Sequence, residues 1–236
     1  MTGYADAQAL QQKLVAARQR KIIDTDVVLW LEHFPVFTYG RHGGIDNLQM
    51  DPSLLEKRGI CVEQSERGGN ITYHGPGQLV VYPIIDLEEA RLGIPEYVQM
   101  LEEVMILTAR DFNVKIHRQQ GKPGVWAGNR KVGSIGIAIQ KGISYHGVAL
   151  NVNPDLTPFE WIHPCGFTDI TMSSLKNEMS IKKDQANRKE RSGQVEFKIV
   201  RKRAQFHMAS IFEKEFVLIS NEDISSILKK KSIAAA

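Results

Sequence analysis

Apolar positions recur at helical spacing near the start of the chain. Leu10, Leu14 and Ala17 fall on one face, and neither glycine nor proline interrupts residues 5–20, which predicts an opening helix. Residues 26–31 (DVVLWL) are short, apolar and rich in β-branched side chains, and read as a buried strand. A second strand pattern covers 61–64, with Cys61 alternating as a small core residue. The run 79–87 (LVVYPIIDL) contains Pro83, which points to an edge strand or a bulged one. Helical periodicity returns over 94–112, with Pro95 suited to the first turn. Residues 132–139 and 143–152 then read as a hairpin turned by Gln140, Lys141 and Gly142. An amphipathic stretch at 200–217 closes the pattern, with Phe206, Ile211 and Phe216 as candidate core contacts.

The intervening segments are polar or rich in glycine. Residues 39–47 form a loop pattern, glycines crowd again over 67–77, and 153–166 is turn-rich. Residues 180–196 read as a long polar loop or insertion. Strand patterns outnumber helices and are often linked as hairpins. The expected fold class is therefore α+β, a mostly antiparallel or mixed sheet flanked by helices, rather than a doubly wound parallel sheet. The expected organisation is one domain over 1–217 and a tail over 218–236.

Composition narrows the classes. The chain has 236 residues, 42% of them apolar, enough for a sizeable core and too many for wholesale disorder. No apolar run approaches the roughly 18 residues of a membrane helix. The first residues resemble neither a signal peptide nor a transit peptide, so a cytoplasmic protein is expected. Two cysteines cannot form a disulfide framework. The net charge of +3 is uneven: nine basic and three acidic residues fall within 181–203, which leaves the remainder at −3. Such a stretch could bind nucleic acid, a membrane surface or an acidic protein, or form a merely solvated loop.

Three stretches could carry chemistry. RGGNITYHGPGQ (67–78) holds four glycines beside an arginine, which can cradle a phosphate or a carbonyl or form a tight turn between strands. No Gly-Lys-Ser/Thr closes it, so it is not a Walker loop. In NRKVGSIG (129–136), Lys131 opens a strand pattern, where a lysine ordinarily lies on a solvated face. In WIHPCGF (161–167), Cys165 sits in a turn and is the better nucleophile candidate of the two thiols. His163 and Cys165 are the one close pair of possible metal ligands, too few for a zinc site, and no metal is expected. A cysteine nucleophile served by a histidine base stays open, with His74, His146 and His163 as candidates.

The ordered set YGR (39–41), RGGNITYHGPGQLVVYPI (67–84), GVWAGNRKVGSIG (124–136), HGVALNV (146–152) and HPCGF (163–167) resembles the lipoyl(octanoyl) transferase family. The likeness covers roughly 25–217, less 180–196. It implies a biotin/lipoate protein ligase-like fold, related to that of class II aminoacyl-tRNA synthetases. It implies transfer of an octanoyl group from octanoyl-acyl carrier protein to a lysine of lipoyl domains through a cysteine thioester, the first step of lipoate cofactor assembly. The acceptors implied are the lipoyl domains of 2-oxoacid dehydrogenase complexes and the glycine cleavage H protein, with no nucleic acid and no membrane. No cofactor is implied beyond the phosphopantetheine that carries the substrate.

The same resemblance assigns Cys165 as the acyl-thioester nucleophile and Lys131 as the lysine that keeps it ionised. Arg67, Gly68, Gly69, Asn70, Ile71, Thr72, Tyr73 and His74 match the first substrate-binding segment. Ser134, Ile135 and Gly136 match the second, and Gly147, Val148 and Ala149 the third. A free thiol has a pKa near ~8.5, and a neighbouring ammonium lowers it, so a Cys–Lys pair makes a nucleophile without a histidine. The sequence departs from the family at Gly133, where a residue such as Ala is expected, and in its long basic stretch, which could steer acidic partners. The alternatives are an ATP-dependent lipoate–protein ligase and a non-catalytic binding module.

Overall fold

The computed structural model describes residues 1–163, 170–185, 195–220, 222–224 and 226–228. Cys165 and most of the expected 180–196 insertion lie outside the described residues. The chain opens with helix α1 (Tyr4–Gln19), strands β1 (Val27–Leu31) and β2 (Val36–Tyr39), helix α2 (Pro52–Lys57), and strands β3 (Cys61–Gln64), β4 (Ile71–His74) and β5 (Gln78–Ile84). Helix α3 (Ile94–Asp111) leads into β6 (His117–Gln119), β7 (Lys122–Ala127), β8 (Arg130–Gln140) and β9 (Ile143–Asn151). The described part ends with β10 (Thr171–Met172), α4 (Leu175–Gln185), α5 (Phe197–Ile211) and short helical pieces beyond it.

Two sheets result. The larger runs β1-β5-β9-β8-β7-β6 with every pair antiparallel, and β10 joins β8 in parallel. The smaller runs β3-β2-β4. This is the expected α+β class. One face of the large sheet packs on α3 and α5, where Tyr97, Leu101, Val104, Met105 and Ala109 recur at helical spacing on the inner side of α3. The other face packs on α1 through Ala7, Leu14 and Val15, which meet Val80, Tyr82, Ala138 and Ala149. Phe37, Ile71, Tyr73, Phe159 and Ile162 form a separate core beneath the small sheet.

Several expectations need correction. β1 is the outer strand of its sheet, and only Leu29 in it is buried. β5 is central and buried at every residue. Its Pro83 is tolerated because the β5–β9 ladder stops at Val81↔Val148 and resumes only at the Asp86↔Ile143 bridge. The missing N–H falls in that interruption, where no donor is needed. Cys61 is exposed, not core. Strand β4 lies inside the glycine-crowded 67–77 segment, and β2 lies in a stretch to which the sequence pattern assigns no element. Residues 180–185 are helical, as the end of α4. The closing helix α5 ends at Ile211 with Val200, Ala204, His207 and Met208 buried, whereas Phe206 on it is exposed and Phe216 lies beyond it, also exposed.

Candidate active site

A cleft of about 620 Å³, including its open mouth, lies where the small sheet approaches the α1 face of the large one. Its floor is the β8–β9 ladder, with Ser134 paired to Ala149, Ile135 to Val148 and Gly136 to Gly147. Small residues keep the floor low. A Cβ on Gly136 would stand 3.0 Å from the carbonyl oxygen of Gly68, so glycine here lets the 67–70 loop lie directly on the sheet. The loop is docked by Gly68 N–H donating to the Ile137 carbonyl at 2.8 Å.

Arg67 is buried and acts as the staple of that loop. Its guanidinium donates to Thr38 Oγ1 at 3.2 and 2.9 Å, to the Thr38 carbonyl at 2.6 Å and to the Gly68 carbonyl at 3.0 Å. The roof comes from Gly69, Asn70, Ile71, Thr72 and His74. Of the expected first segment, Gly68 and Tyr73 do not line the cleft: Gly68 faces the sheet, and Tyr73 alternates into the core against Phe37 and Phe159.

The aromatic wall is uncharged. His74 donates from Nδ1 to Gln78 Oε1 at 2.6 Å; that assignment follows because Gln78 Nε2 donates to the Tyr73 carbonyl and to Asn151 Oδ1. Burial, with help from the charges of His33 and Arg67, pushes the His74 pKa down to about 3. His33 donates from Nδ1 to the Thr2 carbonyl and accepts from the Tyr82 hydroxyl, each at 2.9 Å, and burial lowers its pKa too. Tyr82 is fully enclosed, and its pKa rises well above the ordinary phenol value for the same reason. These histidines are neutral at pH 7.

Lys131 stands at the opposite end of the floor and is only 6% exposed, which overturns the solvated-face reading. Its cross-strand partner is Trp126, and Lys131 Nζ lies 5.3 Å from the indole centroid, an arrangement that favours the ammonium. The slot for its stem exists because residue 124 is glycine. A Cβ there would meet Lys131 Cε at 2.8 Å and the Gly133 carbonyl at 2.4 Å, and the backbone has φ +111°. On the other side β10 pairs Met172 with Lys131, and Ser173 N–H donates to the Lys131 carbonyl at 2.8 Å. Since β7 holds one edge of β8 at this level, β10 takes the edge that β9 occupies from Gly133 onward. A half-buried ion pair fixes the junction. Glu178 accepts two bonds of 2.7 Å from Arg130 and one of 2.6 Å from Ser173 Oγ. Burial would raise the Glu178 carboxyl, but these bonds and the charge of Arg130 hold it below the usual range.

The cleft thus gathers Lys131, twelve of the expected fourteen binding positions (all but Gly68 and Tyr73), the candidate base His146, and two residues that sequence reasoning missed, Tyr82 and Met172. Gly68 contributes through the loop it docks, not as lining. The alternation of Val80, Tyr82 and Ile84 along β5 was the available signal for Tyr82. The arrangement offers a cation at one end of a narrow, largely apolar cleft, suited to holding an acyl chain with its carbonyl near the amine. Among the described residues no group of histidines, cysteines and carboxylates could hold a metal ion.

Residues 3–191 match the lipoyl protein ligase A/B catalytic domain. The chain is 48% identical over 192 residues to an octanoyltransferase of Desulfotalea psychrophila, covering 80% of this chain and 86% of that one. It is 38% identical over 228 residues to an octanoyltransferase of Caldicellulosiruptor bescii, covering 96% and 94%. Among solved structures, a lipoate-protein ligase A bound with ATP superposes with a TM-score of 0.71 at 15% identity, covering 94% and 87%, a likeness of fold.

Proposed function

For a chain that belongs to the lipoyl protein ligase A/B catalytic-domain family and is an acyltransferase of the octanoyltransferase kind, we propose a two-step transfer through Cys165. The donor is octanoyl-acyl carrier protein and the acceptor a lysine of a lipoyl domain. The Cys165 thiolate attacks the thioester carbonyl, and the phosphopantetheine sulfur leaves with a proton from the Lys131 ammonium. The acceptor amine then attacks the acyl-enzyme. Neutral Lys131 takes the amine's proton as the Cys165 thiolate departs, which restores the starting pair. One thioester replaces another in the first step, so no nucleotide is needed. The second step forms the amide.

The observation that supports this reading is the buried Lys131 amine at the end of an acyl-sized cleft, held against β10, the strand that begins six residues after Cys165. A group in that position can serve as acid and then base. The apolar stretch of the cleft stabilises each buried methylene of the chain by about 0.8 kcal/mol.

Intact-mass spectrometry after mixing the protein with octanoyl-acyl carrier protein tests the first step. The expected result is one octanoyl adduct, lost in Cys165→Ser and discharged onto added lipoyl domain. Absence of an adduct, with transfer from free octanoate in the presence of ATP, would overturn the reading in favour of a ligase.

A further inference from the structure

His146 is a buried group that the transfer chemistry does not use. It lines the cleft, is 1% exposed, and neither ring nitrogen has a hydrogen-bond partner. Its backbone sits at φ +55°, in the left-handed region that side chains other than Gly, Asn, Asp and His seldom adopt. This turn sets the ring on the Tyr145 side of β9, with ring centroids 4.9 Å from Tyr145 and 5.9 Å from Tyr82. Gln11 of α1 fixes the backbone by accepting from His146 N–H at 2.7 Å, and its own Nε2 is also buried and unpartnered. Three polar atoms from two elements are therefore left unsatisfied at one place. Buried groups of this kind are rare, and when strain and an orphaned donor coincide at a cleft they point to a ligand.

The position of this locus along the cleft gives it meaning. His146 pairs with Ile137, six residues beyond Lys131 on β8, which puts the two backbones roughly 20 Å apart; the Lys131 stem runs toward the Gly133 carbonyl, where Cε lies beside Gly124, so the gap from the amine is shorter. An acyl chain with its carbonyl at Lys131 extends toward His146. The neutral imidazole offers one donor and one acceptor, and Gln11 adds donors. We propose that His146 and Gln11 form a polar receptor at the distal end of the cleft, so that the protein accepts medium-chain acyl groups bearing a hydrogen-bonding substituent, such as a hydroxyl, at the end remote from the carbonyl. The proposal rests on the acyl-transfer reading for the direction of the chain. In that setting an alkyl terminus leaves the nitrogens unpaired, whereas a hydroxyl pairs with them.

Hydroxyl-terminated acyl thioesters of six to ten carbons, compared with their alkyl counterparts, test the idea with a lipoyl domain as acceptor. The wild-type protein should transfer at least one hydroxyl-terminated chain with kcat/KM within about ten-fold of the alkyl chain of equal length. His146→Leu should depress the hydroxyl-to-alkyl ratio by roughly ten-fold or more. His146→Asn keeps a donor and an acceptor and tolerates the left-handed backbone, and should recover part of that ratio. A second measurement needs neither a variant nor turnover: the imidazole ¹⁵N resonances of His146 should move on adding the hydroxy acid and stay in place with octanoate. Unmoved resonances, or a ratio unchanged in His146→Leu, would overturn the receptor. Loss of octanoyl transfer by the wild-type protein, with the resonances still responding, would instead strike the acyl-transfer reading.

Discussion

Lowering the pH from 7 to 5 should destabilise this protein by several kcal/mol, and the loss should trace to two cleft histidines. His74 and His146 have pKa values pushed down to about 3 by burial, and both are neutral in the folded state. In the unfolded chain a histidine titrates near ~6.5. Between those limits the unfolded chain binds protons that the folded chain refuses. The stability these groups contribute is therefore complete above pH ~6.5 and falls as the pH drops toward 3. Because pH 5 lies well above both folded values, the loss is set by the unfolded pKa alone, about 2 kcal/mol for each histidine and about 4 for the pair. His33, whose pKa is also lowered, acts in the same direction. Against a total stability of about 5–15 kcal/mol this is a large fraction. Carboxylates such as Glu178 lose their contribution only below pH ~4.5, so the window isolates the imidazoles. Urea denaturation at the two pH values measures the effect, and His146→Asn should shrink the difference by about 2 kcal/mol. A loss below 1 kcal/mol, or one that the variant leaves unchanged, would refute the assignment of neutral buried rings.

Three further outcomes are expected. Glu178→Gln keeps the shape of the side chain but breaks the paired bonds to Arg130, and should lower stability by about 1–2 kcal/mol, since Arg130 is partly solvated; an unchanged urea midpoint would contradict it. Gly147→Ala should cost about 1–3 kcal/mol in thermal denaturation, because its Cβ would stand 2.2 Å from the Val81 carbonyl and force two backbones apart. Lys131→Arg keeps the charge but cannot release the proton, and should slow octanoyl transfer to a lipoyl domain by about 100-fold or more. Full activity in that variant would remove the acid–base role.

The parts of the fold visible in the sequence are those with strong local pattern. The helices α1 and α3 and the β8–β9 hairpin owe their existence to periodicity and turn chemistry, and the structure has them close to the expected bounds. The small sheet was hidden because β4 is four residues set among glycines, and its pairing with β2 spans a long stretch of chain. Pro83 misled because a proline's place in a sheet depends on whether the neighbouring strand needs its N–H, which only the β9 register reveals. The order of the motifs along the chain pointed to most of the residues that line the cleft, but not to the bonds of Arg67 with Thr38 and Gly68. The burial of Lys131 was invisible for a similar reason, since it depends on glycine at position 124 in a different strand.

The parallel pairing of β10 with β8 has a consequence for biogenesis. Met172 and Lys131 are 41 residues apart in the chain, yet the setting of the amine is finished only when they meet. During synthesis from the N-terminus, the glycine-rich loop, the central strands and the lysine all emerge well before the segment that closes around them. A ribosome-bound chain stopped short of Ser173 carries much of the cleft but an amine with one flank open to water. The order of emergence thus delays closure around Lys131 until most of the residues that match the catalytic domain have been made.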